Sequence, residues 1–328
     1  MRERKIANAD SHCRRILANV TPLQRYIAEE IATDHVDGLL SRREALRRLA
    51  LLGVSTAAAT ALIAACGENK TPAGNAPTTT GAAATPTGAA TASAPPPGTD
   101  KALPTTPITW AGPQGELQAA WAEAPNARGG VLVIHENKGL NDWGRSVAGR
   151  FAGIGYSGLA IDLLSAQGGT AKFADPAEAT AALGKIPPDE FVANLKSGID
   201  ELQRRVPGKK IAVVGFCMGG GLTWRLLASG APQLAAAFPF YGPAPEDPDF
   251  SGSKDVAVLA FYGEQDQRVN ATEPVARAAL EKAGLVHELV TEPGANHAFF
   301  NDTGDRYNAA AADDAWRRVQ DWLTKYVG

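Results

Sequence analysis

The feature that most constrains this chain is a regular alternation of two kinds of segment over its last two thirds. Short β-rich runs bounded by glycine alternate with longer stretches whose apolar residues recur at helical spacing, as at Phe191, Leu195 and Ile199. Strands are predicted at 116–122, 131–135, 158–161, 211–215, 235–240, 256–262 and 286–291, and helices near 143–154, 189–205, 220–227, 273–283 and 306–326. Asp142 and Asp189 are expected to cap the first two helices. The alternation predicts an α/β fold: a doubly wound, mostly parallel sheet with helices on both faces.

The composition predicts three parts along the chain. The stretch from about residue 68 to residue 106 is almost wholly Ala, Pro, Thr and Gly. Such a stretch cannot bury enough apolar surface to offset the entropy lost on ordering. We therefore expect an N-terminal extension at 1–65, a disordered tether at 66–106 and one folded domain at 107–328.

Charge and cysteine content exclude several classes of function. Residues 1–65 hold ten Lys and Arg against seven Asp and Glu, so the remaining 22 basic and 28 acidic residues leave that part at −6. An acidic domain without a basic run argues against nucleic-acid binding, since phosphates attract clustered Lys and Arg. Of the three cysteines, only Cys217 lies in the predicted domain, so a Cys-x-x-Cys pair is absent from the sequence. We expect no metal, no organic cofactor and a monomer.

The segment before the tether resembles an export signal. The pair Arg42-Arg43 precedes an apolar run at 49–65, which ends in small residues before Cys66. The pair is similar to a twin-arginine signal and the end of the run to a bacterial lipobox, which implies cleavage before Cys66 and lipidation of its sulfur. The domain would then be exported and anchored in the cell envelope, facing the periplasm or the outside. The alternative is a plain signal-anchor or amphipathic helix; residues 1–40 have no assigned role.

A glycine-flanked cysteine follows one of the clearest predicted strands. The segment Gly215-Phe216-Cys217-Met218-Gly219 is a Gly-x-Cys-x-Gly version of the nucleophile elbow, a strained turn between a strand and a helix. The turn places the sulfur at a helix N-terminus, where amides and the helix dipole favour the thiolate. We expect Cys217 to be exposed on this turn. The alternative is a tight glycine turn with an incidental cysteine.

Two further predicted strands are followed by an acid and a histidine. Asp266 lies in the loop after 256–262, and His297 lies in the loop after 286–291. Alone, either could be a solvated turn aspartate or a structural histidine. The chain order cysteine, aspartate, histidine is the order of a triad in α/β-hydrolases, so we predict that Cys217 attacks, His297 moves the proton and Asp266 orients His297.

These landmarks together resemble the dienelactone hydrolase family. The matching segments are His135-Glu136-Asn137, Gly139-Leu140-Asn141-Asp142-Trp143, Ala160-Ile161-Asp162-Leu163, Gly215-Phe216-Cys217-Met218-Gly219-Gly220, Gly263-Glu264-Gln265-Asp266 and Asn296-His297-Ala298-Phe299. The resemblance implies the α/β-hydrolase fold and a role for Glu136 in generating the thiolate when substrate binds. It also implies an oxyanion hole formed by the backbone amides of Met218 and Asn137.

One departure from the family concerns the substrate. Members that act on dienelactone use two arginines to hold the substrate carboxylate, but this chain has Ser165, Ala166 and Gln167 in the first region and Asn301 at the second position. Arg306 could supply a substitute cation. The sequence therefore predicts a lipid-anchored hydrolase of small esters or lactones, and it argues against dienelactone itself as the substrate. The alternative is a lipid-anchored small-molecule-binding protein on the same fold.

Overall fold

The computed structural model describes residues 20–67 and 95–328, which fall into two compact units. The second unit begins at Pro96 and continues to Gly328. Residues 1–19 and 68–94 lie outside the described part, and with them most of the predicted tether. Within the described ranges, no helix is long and apolar enough to cross a membrane.

The described part of the first unit is helical. It contains α1 (Pro22–Val36), α2 (Arg42–Leu51) and α3 (Thr56–Gly67). Thr21 and Gln24 form a capping box at the start of α1, and the Ser41 side chain caps α2. The apolar run at 49–65 is therefore divided between two helices, with a break between Leu51 and Thr56.

The second unit is built on an eight-stranded sheet. Its strands are β1 (Thr106–Gly112), β2 (Gly115–Ala122), β3 (Gly129–Ile134), β4 (Tyr156–Asp162), β5 (Ile211–Phe216), β6 (Leu234–Phe240), β7 (Ala257–Gly263) and β8 (His287–Glu292). The spatial order is β1-β2-β4-β3-β5-β6-β7-β8. Strands β1 and β2 pair antiparallel and β2 joins β4 antiparallel, while all pairs from β4 to β8 are parallel. The carboxyl ends of β3 to β8 therefore meet at one edge.

Helices cover both faces of this sheet. They are α4 (Asp142–Gly153), α5 (Pro176–Gly184), α6 (Pro188–Arg205), α7 (Met218–Ala228), the short α8 (Gln267–Asn270), α9 (Glu273–Ala283) and α10 (Ala309–Tyr326); four single 3₁₀ turns lie at Thr99–Lys101, Ser165–Gln167, Thr170–Lys172 and Ser251–Ser253. Gly158 of β4 packs against Ala148 of α4, whereas Gly198 of α6 packs against Leu132 of β3. Gly158 pairs with Val131, so these two residues face the same side of the sheet. Leu132 follows Val131 and faces the other side, because side chains alternate along a strand. The helices α4 and α6 therefore lie on opposite faces. The predicted α/β-hydrolase architecture is confirmed.

The structure corrects several details of the predicted elements. β1, α5 and the short α8 were not expected, and the predicted caps are wrong. Asn141 caps α4 by accepting a hydrogen bond from the Gly144 amide, and Asp142 lies in the first turn. Pro187 precedes α6, where Asp189 also lies in the first turn. Acidic residues in a first turn stabilise the helix dipole without capping, and the sequence pattern cannot separate the two roles.

Residues 96–106 belong to the second unit, although their composition assigns them to the tether. The Leu103 amide donates to the Gly149 carbonyl of α4, and Arg150 donates to the Pro97 carbonyl. Both bonds are made by backbone atoms of this segment, which its composition does not reveal.

Candidate active site

Cys217 occupies the sharp turn between β5 and α7. Its backbone has φ +56° and ψ −115°, a conformation that residues with side chains rarely adopt. The Cys217 amide donates to the Phe240 carbonyl at 3.1 Å, which ties the turn to the end of β6. Only 2% of the residue is exposed, so the expectation of an exposed cysteine is wrong. The turn is strained as predicted.

The flanking glycines have a steric reason. A Cβ on Gly215 would collide with the Gly219 backbone, and a Cβ on Gly219 would collide with the carbonyls of Ile134 and His135. The start of α7 therefore lies directly against the end of β3. This contact brings the Met218 amide, in the first turn of α7, close to the loop that carries Glu136 and Asn137.

Asp266 is held in the loop after β7. One carboxylate oxygen accepts from the Val269 amide at 3.3 Å, and the other is 2.5 Å from Nδ1 of His297. Burial by itself would raise the pKa of Asp266, but the His297 ring and the nearby Arg268 outweigh burial and lower it. Asp266 is therefore ionised at neutral pH and accepts the Nδ1 proton of His297.

His297 lies in the loop after β8 and is 5% exposed. Its ring packs edge-on against Tyr241, with the centroids 5.2 Å apart. A ring nitrogen of His297 and the sulfur of Cys217 lie within 4.8 Å of one another. Ala298 follows with φ +61°, which turns the chain sharply after the histidine. The structure thus brings together the three residues selected from chain order, each at the carboxyl end of a different strand.

Glu136 follows β3, and its side chain has two partners that the sequence did not suggest. One carboxylate oxygen accepts from the Tyr241 hydroxyl at 3.3 Å, and the other accepts from the Asn301 side-chain amide at 2.8 Å. Tyr241 directly follows β6, so a search of the loops after every predicted strand would have included it. Asn301 was identified only as a missing arginine, and nothing in the sequence indicates its bond to Glu136.

The neighbouring His135 fixes the backbone of the same loop. Its Nε2 accepts from the Leu163 amide at 3.2 Å, so Nδ1 carries the proton and donates to the Glu136 carbonyl at 2.6 Å. Burial lowers the pKa of His135, although Asp162 and the Glu136 carbonyl oppose the shift. A neutral histidine therefore holds the loop from which Asn137 would donate its amide.

The positions where the family carries arginines serve other contacts here. The Ser165 hydroxyl donates to the Asp162 carbonyl and accepts from the Gln118 amide. Asn301 is engaged by Glu136 and by Thr303. Among the described residues of the second unit, no three His, Cys, Asp or Glu side chains lie close enough to share a metal ion.

Known proteins of one family are similar to this chain. A family model described as "Dienelactone hydrolase family" matches residues 117–327. A protein of Escherichia coli named "Putative carboxymethylenebutenolidase" is 31% identical over 231 residues, which cover 66% of this chain and 85% of that protein. A protein of the same name from Saccharolobus solfataricus is 30% identical over 244 residues, which cover 64% and 94%.

Solved structures show the same fold. A crystal structure from Klebsiella pneumoniae, named "Putative Dienelactone Hydrolase", is 29% identical to this chain with a TM-score of 0.59, and the match covers 68% of this chain and 99% of that one. A dienelactone hydrolase from Anabaena variabilis, at 18% identity, has a TM-score of 0.52 over 68% of this chain and 98% of its own. At that identity the second comparison concerns the fold alone.

Proposed function

This chain belongs to the dienelactone hydrolase family, and on that premise we propose that it hydrolyses small esters or lactones with Cys217 as the nucleophile. The observation that carries the proposal is the 2.5 Å contact between Asp266 and Nδ1 of His297, beside the sulfur of a strained cysteine at a helix N-terminus. A nucleophile, a base and a residue that orients the base is the arrangement that acyl transfer requires.

The first half-reaction forms an acyl-enzyme. Because Nδ1 of His297 donates to Asp266, Nε2 is the nitrogen that accepts the thiol proton of Cys217. The thiolate attacks the carbonyl carbon of the substrate, and the negative charge moves to the carbonyl oxygen. The amides of Met218 and Asn137 are the proposed donors to this oxyanion. Collapse of the tetrahedral intermediate expels the alcohol, which receives its proton from His297.

The second half-reaction releases the acid. His297 takes a proton from water, the hydroxide attacks the thioester, and the thiolate leaves. Glu136, by resemblance to the family, assists in removing the thiol proton during the first step. A lactone follows the same course, except that the alcohol and the acid remain parts of one product molecule.

A binding protein on the same fold is the competing function. It provides no reason for a carboxylate held against an imidazole next to a strained cysteine, and family membership also favours a hydrolase. Alkylation by iodoacetamide separates the two, because a cysteine activated for catalysis reacts fast at a pH where an ordinary thiol is still protonated.

The proposal extends to location. The arginine pair, the apolar run and Cys66 support export followed by lipid anchoring, with the hydrolase unit on the periplasmic or outer side of the envelope. The tether predicted after Cys66 would then separate the enzyme from the bilayer. A small-molecule ester or lactone is the expected partner.

Turnover of a panel of neutral esters and lactones by the full chain tests the catalytic proposal. We expect Cys217→Ala to lower kcat/KM by about 10³-fold or more, and His297→Gln to do the same. His287→Gln is the matched control, since His287 lies on β8 and its Nδ1 contacts the Leu285 carbonyl. Full turnover by Cys217→Ala would refute the proposal. Because Cys217 is buried, this variant should also lose about 1 kcal/mol of stability.

A further inference from the structure

Two side chains from different elements hold the Glu136 carboxylate. Asn301 donates to one oxygen at 2.8 Å and Tyr241 donates to the other at 3.3 Å. Asn301 lies in the loop after His297, and Tyr241 lies in the turn after β6. Glu136 itself follows β3, so the three strand ends converge on one carboxylate.

The orientation of the Asn301 amide is fixed by Thr303. The Thr303 amide donates to the Asn301 side-chain oxygen at 3.0 Å, and the Thr303 hydroxyl donates to the same oxygen at 2.7 Å. Because that oxygen accepts both bonds, the nitrogen of the amide must face Glu136. Asn301 can therefore offer Glu136 only a donor.

The backbone around Asn301 is anchored to α4. Asp302 accepts from the Trp143 indole at 2.7 Å and from Arg150 at 2.8 Å, and Arg150 is almost completely buried. The backbone amide of Asn301 also donates to the Ala298 carbonyl at 3.0 Å. A buried ion pair next to the residue leaves Asn301 little freedom to leave Glu136.

Tyr241 is equally constrained. It is fully buried with φ +37°, and its amide donates to the Phe261 carbonyl at 2.8 Å. Burial, and then the nearby Glu136 and Cys217, raise the pKa of the Tyr241 phenol well above its ordinary value. The hydroxyl therefore remains protonated, and able to donate, at neutral pH. The same ring packs against His297, so one residue contacts both the imidazole and the carboxylate.

We infer that Asn301 and Tyr241 are positioning residues that hold the Glu136 carboxylate in one orientation within the Cys217 site before substrate arrives. The inference rests on the roles proposed above for Cys217 and Glu136. Both donors are neutral side chains of the protein, so no charged group of the substrate is needed to orient the Glu136 carboxylate. The hydrogen bonds from Asn301 and Tyr241 to Glu136 are therefore compatible with substrates that are neutral esters or lactones.

The test measures turnover of a neutral ester and the pH dependence of iodoacetamide alkylation in the full chain. We expect Asn301→Leu to lower kcat about tenfold or more with little change in KM, because a misplaced carboxylate assists the thiol poorly. Asn301→Asp should raise, by about one pH unit, the pH at which the alkylation rate of Cys217 is half-maximal, since a second carboxylate opposes formation of the Cys217 thiolate. Tyr241→Phe should lower kcat several-fold.

Tyr262→Phe is the control for Tyr241→Phe. Tyr262 is also buried, and among the described residues its hydroxyl has no hydrogen-bond partner. Removing that hydroxyl should leave kcat and the alkylation profile unchanged. Thermal unfolding of all variants identifies any that are merely misfolded.

A double-mutant cycle with Glu136→Gln separates positioning from packing. If Asn301 acts through Glu136, Asn301→Leu should cost no further activity when Glu136→Gln is already present. Equal losses in both backgrounds, wild-type kcat in Asn301→Leu, or wild-type kcat in Glu136→Gln would each overturn the inference. These results are distinct from failure of the proposed function, which requires turnover by Cys217→Ala.

Discussion

At the scale of single residues, the site depends on backbone conformations that side chains ordinarily avoid. Cys217, Tyr241 and Ala298 have φ values of +56°, +37° and +61°, and they are three of the four non-glycine residues with positive φ in the described part of the chain. Each such residue costs about 1–3 kcal/mol, which the surrounding structure must offset. The strained residues lie directly after β5 and β6 and in the loop that follows β8. These are the turns that bring the side chains of the site together.

Residue identity was predictable where chemistry limits the choice. Cys217, Asp266 and His297 could be selected because few residue types perform their roles and because hydrolases of this fold keep one chain order. Asn301 could not, since any of several polar residues can donate to a carboxylate. Tyr241 could be found only by its position directly after β6. The exposure of Cys217 was mispredicted because a local turn pattern carries no information about the burial of the turn in the folded chain.

The positions of Ser165 and Asn301 bear on the charge of the substrate. Ser165 and Asn301 lie where family members that act on dienelactone have arginine, and both side chains make hydrogen bonds within the protein. Neither position therefore offers a cation to a substrate carboxylate. Losing a charge-assisted bond of roughly 1.5–3 kcal/mol lowers affinity about tenfold or more. We expect a methyl ester to have a higher kcat/KM than its analogue with a free carboxylate beside the scissile carbonyl.

Arg306 provides the control for this comparison. The matched pair of substrates should be assayed with the wild type and with Arg306→Ala. Preference of the wild type for the free acid would contradict the prediction. Loss of that preference in the variant would then identify Arg306 as the substitute cation.

At the scale of elements, the loops after β7 and β8 form one framework. The Glu264 amide donates to the Glu292 carbonyl at 3.1 Å, and the Gln265 amide donates to the Ala295 carbonyl at 2.9 Å. These bonds lie immediately before Asp266 and His297. The separation of the acid and the histidine is therefore set by backbone bonds between neighbouring loops.

The Glu292 side chain makes this framework sensitive to pH. It is buried at the end of β8, and one of its oxygens has no hydrogen-bond partner among the described residues. Burial and the nearby Asp314 raise the pKa of Glu292 from 4.5 to about 7, against the opposing effect of Arg318 and Arg317. A raised pKa in the folded state contributes stability that is present below pH 4.5 and is lost as pH rises through about 7.

We therefore predict that Glu292→Gln stabilises the protein at alkaline pH. The free energy of unfolding should rise by about 1 kcal/mol or more at pH 8.5 and change little at pH 5. Denaturant unfolding at the two pH values measures the difference. Glu288→Gln, at an exposed position on the same strand, is the control. The same change at both pH values for Glu292→Gln would show that ionisation of Glu292 is not responsible.

The core elements of the sheet were predictable because buried parallel strands are continuous apolar runs between glycines. β1 escaped prediction because its exposed residues form an edge strand that contains Pro107 and Gly112, which are unusual in strands. α5 was missed because it has only nine residues, four of them Ala, and its apolar residues show no clear periodicity. Both elements depend on tertiary contacts that local patterns do not encode.

At the scale of the chain, composition separates the hydrolase-family unit from the segment that we propose directs export. The family match extends over 117–327, whereas the residues proposed for export end at Cys66, the first residue of the predicted tether. If the tether separates the two functions, anchoring and catalysis should be independent of one another.

We predict that Cys66→Ala abolishes lipid labelling and moves the protein from the membrane fraction to the soluble fraction, with turnover unchanged. Fractionation of cells grown with a labelled fatty acid measures both properties. Replacing Arg42 and Arg43 with lysine keeps the charge and should impair a twin-arginine route specifically. Wild-type protein that is uncleaved before Cys66 and remains cytoplasmic would contradict the anchoring proposal.

The proposed mechanism requires that Cys217 becomes acylated during turnover. Its most direct test is mass spectrometry of the full chain quenched in acid shortly after mixing with an activated neutral ester. We predict one added acyl group, located on the peptide that contains Cys217, removed by hydroxylamine and absent from Cys217→Ala. An acyl group on another residue, together with normal turnover by Cys217→Ala, would contradict the claim.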